Sequence, residues 1–95
     1  MLIRSQDKTV LTNFANVTDI MIDCIEENKF EISAFFTNHT KTKLGNYSTE
    51  EKAIKVLDMI ESFYSNFKFC EIWGIDMTKF YDAIFQMPQD DEVKV

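Results

Sequence analysis

Hydrophobic and polar residues alternate with period two through the first half of the chain, then change to helical spacing. From Thr18 to Ile25, Ile20, Ile22 and Cys24 share one face, and Asp19, Met21 and Asp23 share the other. From Phe30 to Thr37, Phe30, Ile32, Ala34 and Phe36 lie on one face, and Glu31, Ser33, Phe35 and Thr37 on the other. Alternation of this kind marks half-buried strands. Glu26-Glu27-Asn28 between them reads as a three-residue hairpin loop, with Asn28 in the left-handed conformation that Asn tolerates. The loop sets Cys24 opposite Phe30, Ile22 opposite Ile32 and Ile20 opposite Ala34, all six facing the core. A slip of one residue would oppose apolar to polar positions, so this register is strongly specified. It also places Asp23 opposite Glu31 and Met21 opposite Ser33 on the outer face.

Ahead of this hairpin, Leu2–Ser5 and Thr9–Phe14 read as two short strands joined by the polar turn Gln6-Asp7-Lys8. After it, Asn38-His39-Thr40 is a turn and Lys41–Tyr47 a weaker strand. The period then shifts. Ala53, Val56, Leu57, Ile60, Tyr64 and Phe67 form a stripe at helical spacing, opposed by Lys52, Lys55, Asp58, Glu61 and Ser65. Ser48 reads as the N-cap, with Glu51 completing a capping box. Ile54, Met59 and Phe63 widen the apolar face and predict a helix flanked on more than one side. Lys68–Trp73 fits either a strand or the frayed end of the helix, and Gly74 breaks it. A strand is expected from about Tyr81 to Met87, ended by Pro88 and paired with the N-terminal strand.

These elements predict an α+β fold: an antiparallel sheet of four to six strands, one long amphipathic helix packed on it, and a closing C-terminal strand. Residues 1–88 form a single domain in this reading, and residues 89–95 an acidic, flexible tail. With 95 residues, one core must suffice, burying roughly 60–65% of the unfolded surface. The supply is good, since nine residues are Phe while only two are Gly and one is Pro. That balance excludes a linker or a disordered segment.

The net charge of −6 and scattered basic residues argue against direct nucleic-acid binding, which draws its affinity from Lys and Arg on phosphates. The two cysteines do not make a disulfide framework. The first residues carry no signal-peptide pattern, and no apolar run is long enough for a membrane span. A cytoplasmic location is therefore expected, with no membrane association.

Chemistry-bearing patterns are sparse. A single His, His39, sits in a polar turn, and two distant cysteines supply too few ligands for a zinc site. Cys24 reads as a small buried side chain. Two glycines exclude a phosphate-cradling loop, and no nucleophile elbow is present. Asp19, Asp23 and Glu31 are the candidates for paired-carboxylate hydrolysis, but one open sheet face rarely provides the pocket that separates their pKa values. No catalytic, cofactor or metal residues are assigned, and the expectation is a non-enzymatic protein. The feature that remains is apolar Met21 and Phe35 on the outer hairpin face, rimmed by Asp19, Asp23 and Glu31. Exposed apolar residues within an acidic rim suit a basic or nucleic-acid-binding protein partner, or a homodimer face. An alternative is a small-molecule, nucleotide-like ligand in an aromatic pocket around Tyr64, Trp73 and Tyr81.

Three segments carry a resemblance: Met1-Leu2-Ile3-Arg4-Ser5-Gln6-Asp7-Lys8, the stretch Gly45 to Ile60 containing Tyr47-Ser48-Thr49-Glu50-Glu51-Lys52-Ala53, and Phe85-Gln86-Met87-Pro88-Gln89-Asp90-Asp91-Glu92-Val93. Together they bracket the chain, which resembles a family of short uncharacterised proteins of Firmicutes bacteria, their phages and mobile elements. That family carries no assigned activity to transfer. The resemblance implies context alone, a phage-related or bacterial accessory protein that modulates or inhibits a host protein.

Overall fold

The computed structural model describes residues 1–72 and 84–95, with side chains inside the long helix as far as Lys68. The chain order is β1 (Leu2–Arg4), β2 (Leu11–Asn13), β3 (Val17–Glu26), β4 (Lys29–Phe36), β5 (Lys41–Tyr47), α1 (Glu50–Ile72) and β6 (Ile84–Gln86). The fold is α+β, but the strands among the described residues form two sheets of three rather than one of four to six. In the first sheet β1 is central, antiparallel to β2 and parallel to β6. In the second, β3, β4 and β5 form an antiparallel meander. The closing strand does join the two ends of the chain, with Leu2, Ile3 and Arg4 beside Ile84, Phe85 and Gln86.

The β1–β2 connection is organised by one carboxylate. Asp7 Oδ1 accepts from the Ser5 hydroxyl (2.7 Å), the Thr9 hydroxyl (2.7 Å) and the Thr9 N–H (3.1 Å). These bonds stabilise the ionised form and hold the Asp7 carboxyl down at about 2, the Ser5 bond contributing most. Lys8 takes the left-handed conformation this tight turn needs, with φ 67°.

The β3–β4 register is the one that the alternation specifies: Ile20 opposite Ala34, Ile22 opposite Ile32, Cys24 opposite Phe30, Asp23 opposite Glu31 and Met21 opposite Ser33. Asn28 is left-handed, with φ 60°. The loop is shorter than expected, because Glu26 pairs with Lys29 and leaves Glu27-Asn28 as the turn. Ile25 is the extra residue of a bulge that restores the register. Cys24 is exposed, not buried. It shares the core-facing side with Ile20 and Ile22, but it lies near the end of a strand that has a neighbour on one side only among the described residues. Alternation specifies the face and not the depth.

The helix starts one residue later than the capping box implies. Lys52 N–H donates to Thr49 Oγ1 at 3.1 Å, so Thr49 is the N-cap and Lys52 occupies the position expected for Glu51. Ser48 is claimed instead by Asp90, whose Oδ1 accepts from its N–H (2.7 Å) and its hydroxyl (3.1 Å). Ala53, Val56 and Ile60 are buried against Ile32 and Ala34 of β4 and Leu44 and Tyr47 of β5. Leu57 and Phe63 flank them, and Phe63 meets Phe85 edge-on at 5.6 Å. Ile54 and Met59 are exposed, so of the three residues that widen the apolar face only Phe63 is covered among the described residues. The turns from Lys68 to Ile72 continue as helix. The expected break at Gly74 and the start of the C-terminal strand at Tyr81 lie outside the described residues.

The C-terminal segment is not a free tail. Met87 and Val93 are in the core with Ile3 and Phe85. Tyr47 Oη donates to the Pro88 carbonyl at 2.7 Å, and Lys52 Nζ donates to the Asp90 carbonyl at 3.1 Å. Burial pushes the Tyr47 phenol well above its ordinary range, so it remains a donor to Pro88. The run Gln89 to Val93 reads as solvated from its charge, yet its spacing places one apolar residue, Val93, against the core and one acid, Asp90, at the start of α1.

Candidate functional site

The five residues singled out from sequence fall on one surface, the side of β3–β4–β5 facing away from α1. Asp19, Met21 and Asp23 project from β3, and Glu31 and Phe35 from the facing positions of β4. Met21 is 46% exposed, a large apolar side chain left in water. Asp19 is exposed, while Asp23, Glu31 and Phe35 are half-buried. Ser33, between Met21 on one strand and Lys43 on the other, is fully covered by its neighbours and donates to Glu31 Oε1 at 3.2 Å.

The third strand changes the electrostatics of this face. Its register sets Lys43 beside Ser33 and Lys41 beside Phe35, because an irregularity between Ile32 and Ser33 shifts the β4–β5 pairing by one residue. Lys41 Nζ stands 5.9 Å from the centroid of the Phe35 ring, within cation–π range. The surface is therefore acidic along β3 and basic along β5, with Met21 and Phe35 between. The expected acids Asp19, Asp23 and Glu31 all lie on this face, and the lysines of β5 border its other side. Lys41 and Lys43 were legible as residues of a weak strand, but the bulge that aims them was not.

The edge of β5 has its own partner. Gln6 N–H donates to the Leu44 carbonyl (2.7 Å), its Oε1 accepts from the Asn46 N–H (2.9 Å), and its Nε2 donates to the Asn46 carbonyl (3.0 Å). One residue thereby does the hydrogen bonding of a neighbouring strand, through its backbone N–H and its side-chain amide. The approach is close: a Cβ on Gly45 would lie 3.0 Å from Gln6 Cβ, so a larger residue there requires Gln6 to give by a few tenths of an ångström. Beside this contact is a cleft of about 360 Å³ whose lining includes Ser5, Asp7, Val10, Lys43 and Asn46. Asn46 Oδ1 is buried with no hydrogen-bond partner among the described residues.

His39 is exposed in its turn, with φ 67°. Tyr64 packs on Phe14, ring centroids 4.9 Å apart, while Trp73 and Tyr81 lie outside the described residues. Among the described residues no cluster of three or more His, Cys, Asp or Glu is placed to hold a metal ion. No helix among them is long and apolar enough to cross a membrane. No family model, curated protein or solved structure matches the chain.

Proposed function

We propose that this chain is a non-enzymatic protein-binding module that docks its partner on the open face of β3–β4–β5. The observation that carries the reading is Met21, nearly half exposed beside Phe35 and bordered by Asp19, Asp23 and Glu31. Apolar side chains at the centre of a charged surface supply the desolvated contacts that dominate binding, and the charged border sets orientation and specificity. The partner surface is basic where it meets β3, as on a nucleic-acid-binding protein, and carries an acid for Lys41 and Lys43. In the phage or mobile-element context implied by the resemblance, such docking modulates or inhibits a host protein.

The test is capture from a Firmicutes host lysate with the wild-type chain, an Asp23→Lys, Phe35→Ala double variant, and Glu61→Lys on the far side of α1. Circular dichroism checks that all three fold. Loss of the captured protein in the double variant alone supports the reading; capture unchanged by the double variant refutes it.

A second reading, a nucleotide-like small-molecule binder, is favoured by the cleft beside Gln6 and the unpartnered Asn46 Oδ1. It shifts the ligand site away from Tyr64. Native mass spectrometry and titration with nucleoside phosphates test it; a clean apo spectrum with no heat of binding dismisses it.

A further inference from the structure

The two edges of the β3–β4–β5 sheet are treated differently. The β5 edge carries Lys41 and Lys43 and is capped by Gln6, as described above. The β3 edge has β4 on one side and, among the described residues, no strand on the other. It is the longest strand described, ten residues from Val17 to Glu26, and it holds neither Lys nor Pro. Ile25 is 48% exposed and Cys24 is also exposed, while Ile20 and Ile22 are half-buried. Folded proteins block such edges with lysines, prolines or a covering loop, because unpaired N–H and C=O groups template further strands. Among the described residues, this sheet blocks one edge and leaves the other open.

We propose that the β3 edge pairs antiparallel with β3 of a second copy of this chain, about a two-fold axis at Ile22, to form a six-stranded sheet across the dimer. The charge pattern selects this register. A continuous sheet needs core-facing residues of one copy opposite core-facing residues of the other, so a residue of β3 must lie on the axis and face itself. With Ile22 on the axis, Ile20 faces Cys24 of the second copy and Ile22 faces Ile22, apolar against apolar. On the other face Met21 lies opposite Asp23, and no carboxylate opposes another. Centring on Met21 sets Asp19 against Asp23 twice, and centring on Asp23 sets that carboxylate against itself. Centring on Cys24 puts Ile22 against Glu26, and centring on Ile20 puts Thr18 against Ile22. Of these registers, that centred on Ile22 alone keeps apolar opposite apolar on the core-facing side while separating the acids.

This proposal uses the edge of the sheet, whereas docking uses its face, and Met21 and Asp23 belong to both. The experiment is light scattering after size exclusion, over a concentration series, with wild type, Met21→Lys and Met21→Asp. Met21 is exposed, and far-UV circular dichroism checks that both variants fold. In the proposed register each substitution meets Asp23 of the second copy, and the axis makes the contact twice. A cross-strand charge pair made twice changes the dimer dissociation constant by roughly 2- to 30-fold. Met21→Lys lowers that constant and Met21→Asp raises it. An independent readout is Ile20→Cys, which brings a thiol opposite Cys24 of the second copy, within the spacing a disulfide spans. Mild oxidation then gives a covalent dimer whose linked peptide contains Cys24, and adding Cys24→Ser abolishes that link. A wild-type chain that stays monomeric at its highest soluble concentration overturns the proposal. So does a dimer that both Met21 substitutions shift in the same direction. Phe35→Ala on the central strand leaves the dimer intact, so loss of partner capture and loss of dimerisation are read separately.

Discussion

Replacing Asp90 by Ala removes the carboxylate that ties the C-terminal segment to the start of α1. Asp90 Oδ1 accepts two hydrogen bonds from Ser48, and Oδ2 lies 3.4 Å from Lys52 Nζ. A hydrogen bond to a charged group contributes about 1.5–3 kcal/mol, and a surface ion pair about 0.2–1 kcal/mol. The Asp90 side chain is 41% exposed. Water therefore screens the interaction, and the expected loss is about 1–2 kcal/mol rather than the sum of the three contacts. For a domain of this size that corresponds to a fall of roughly 4–16 °C in Tm. The assay is urea unfolding at neutral pH, with Asp91→Ala as control: its side chain is exposed, and that variant stays within about 0.5 kcal/mol of wild type. Acidification adds a second readout. The Asp90 carboxyl is held below its ordinary value of 3.8, chiefly by the Ser48 N–H. A group whose folded pKa is depressed contributes stability that is complete above its unfolded pKa and is lost as pH falls through the folded one. The gap between wild type and Asp90→Ala is therefore full near neutrality and closes below pH 3.8. A variant within about 0.5 kcal/mol of wild type at neutral pH, or a gap that widens in acid, would refute the claim that this carboxylate fastens the segment.

Other outcomes follow from the same geometry. Ile32→Ala, fully buried between β3 and β5, loses about 2–5 kcal/mol in urea unfolding, while half-buried Leu57→Ala loses less; equal losses would show that the helix sits deeper than described. Asn28→Ala costs about 1–2 kcal/mol because its φ of 60° crowds Cβ, whereas Asn28→Gly is close to neutral; equal costs for the two would remove conformation as the cause. Asp7, held down at about 2 by Ser5 and Thr9, contributes stability present above the ordinary value of 3.8 and lost as pH falls toward 2. An acid titration monitored by unfolding therefore shows a shallower decline in Asp7→Ala than in wild type across that window, and identical profiles would count against the turn's role.

Much of the local structure was legible in the chain. The β3–β4 register followed from period-two alternation because a slip of one residue exchanges an entire face, a penalty that a single strand pair already encodes. The left-handed Asn28 was legible for a similar reason, since few residues tolerate that conformation in a short hairpin. The α1 stripe was legible because Ala53, Val56 and Ile60 recur at helical spacing whatever they pack against. The five surface candidates were placed on one face by the same alternation, but the bulge that sets Lys41 and Lys43 beside them was not legible.

Contacts between residues far apart along the chain were settled by the tertiary structure. Ser48 has the composition of an N-cap, yet Asp90, 42 residues away, takes its N–H and leaves Thr49 to cap the helix. Cys24 has the spacing of a core residue, yet it lies on an edge where nothing among the described residues covers it. Gln89–Val93 has the charge of a free tail, yet Val93 finds the core and Asp90 finds Ser48. Whether four or more strands make one sheet or two depends on which edges meet, and hydrogen-bonding edges look alike in every sequence. Periodicity encodes which way a side chain points. The depth at which it ends, and the distant group that satisfies it, depend on chain closure, which no local pattern carries.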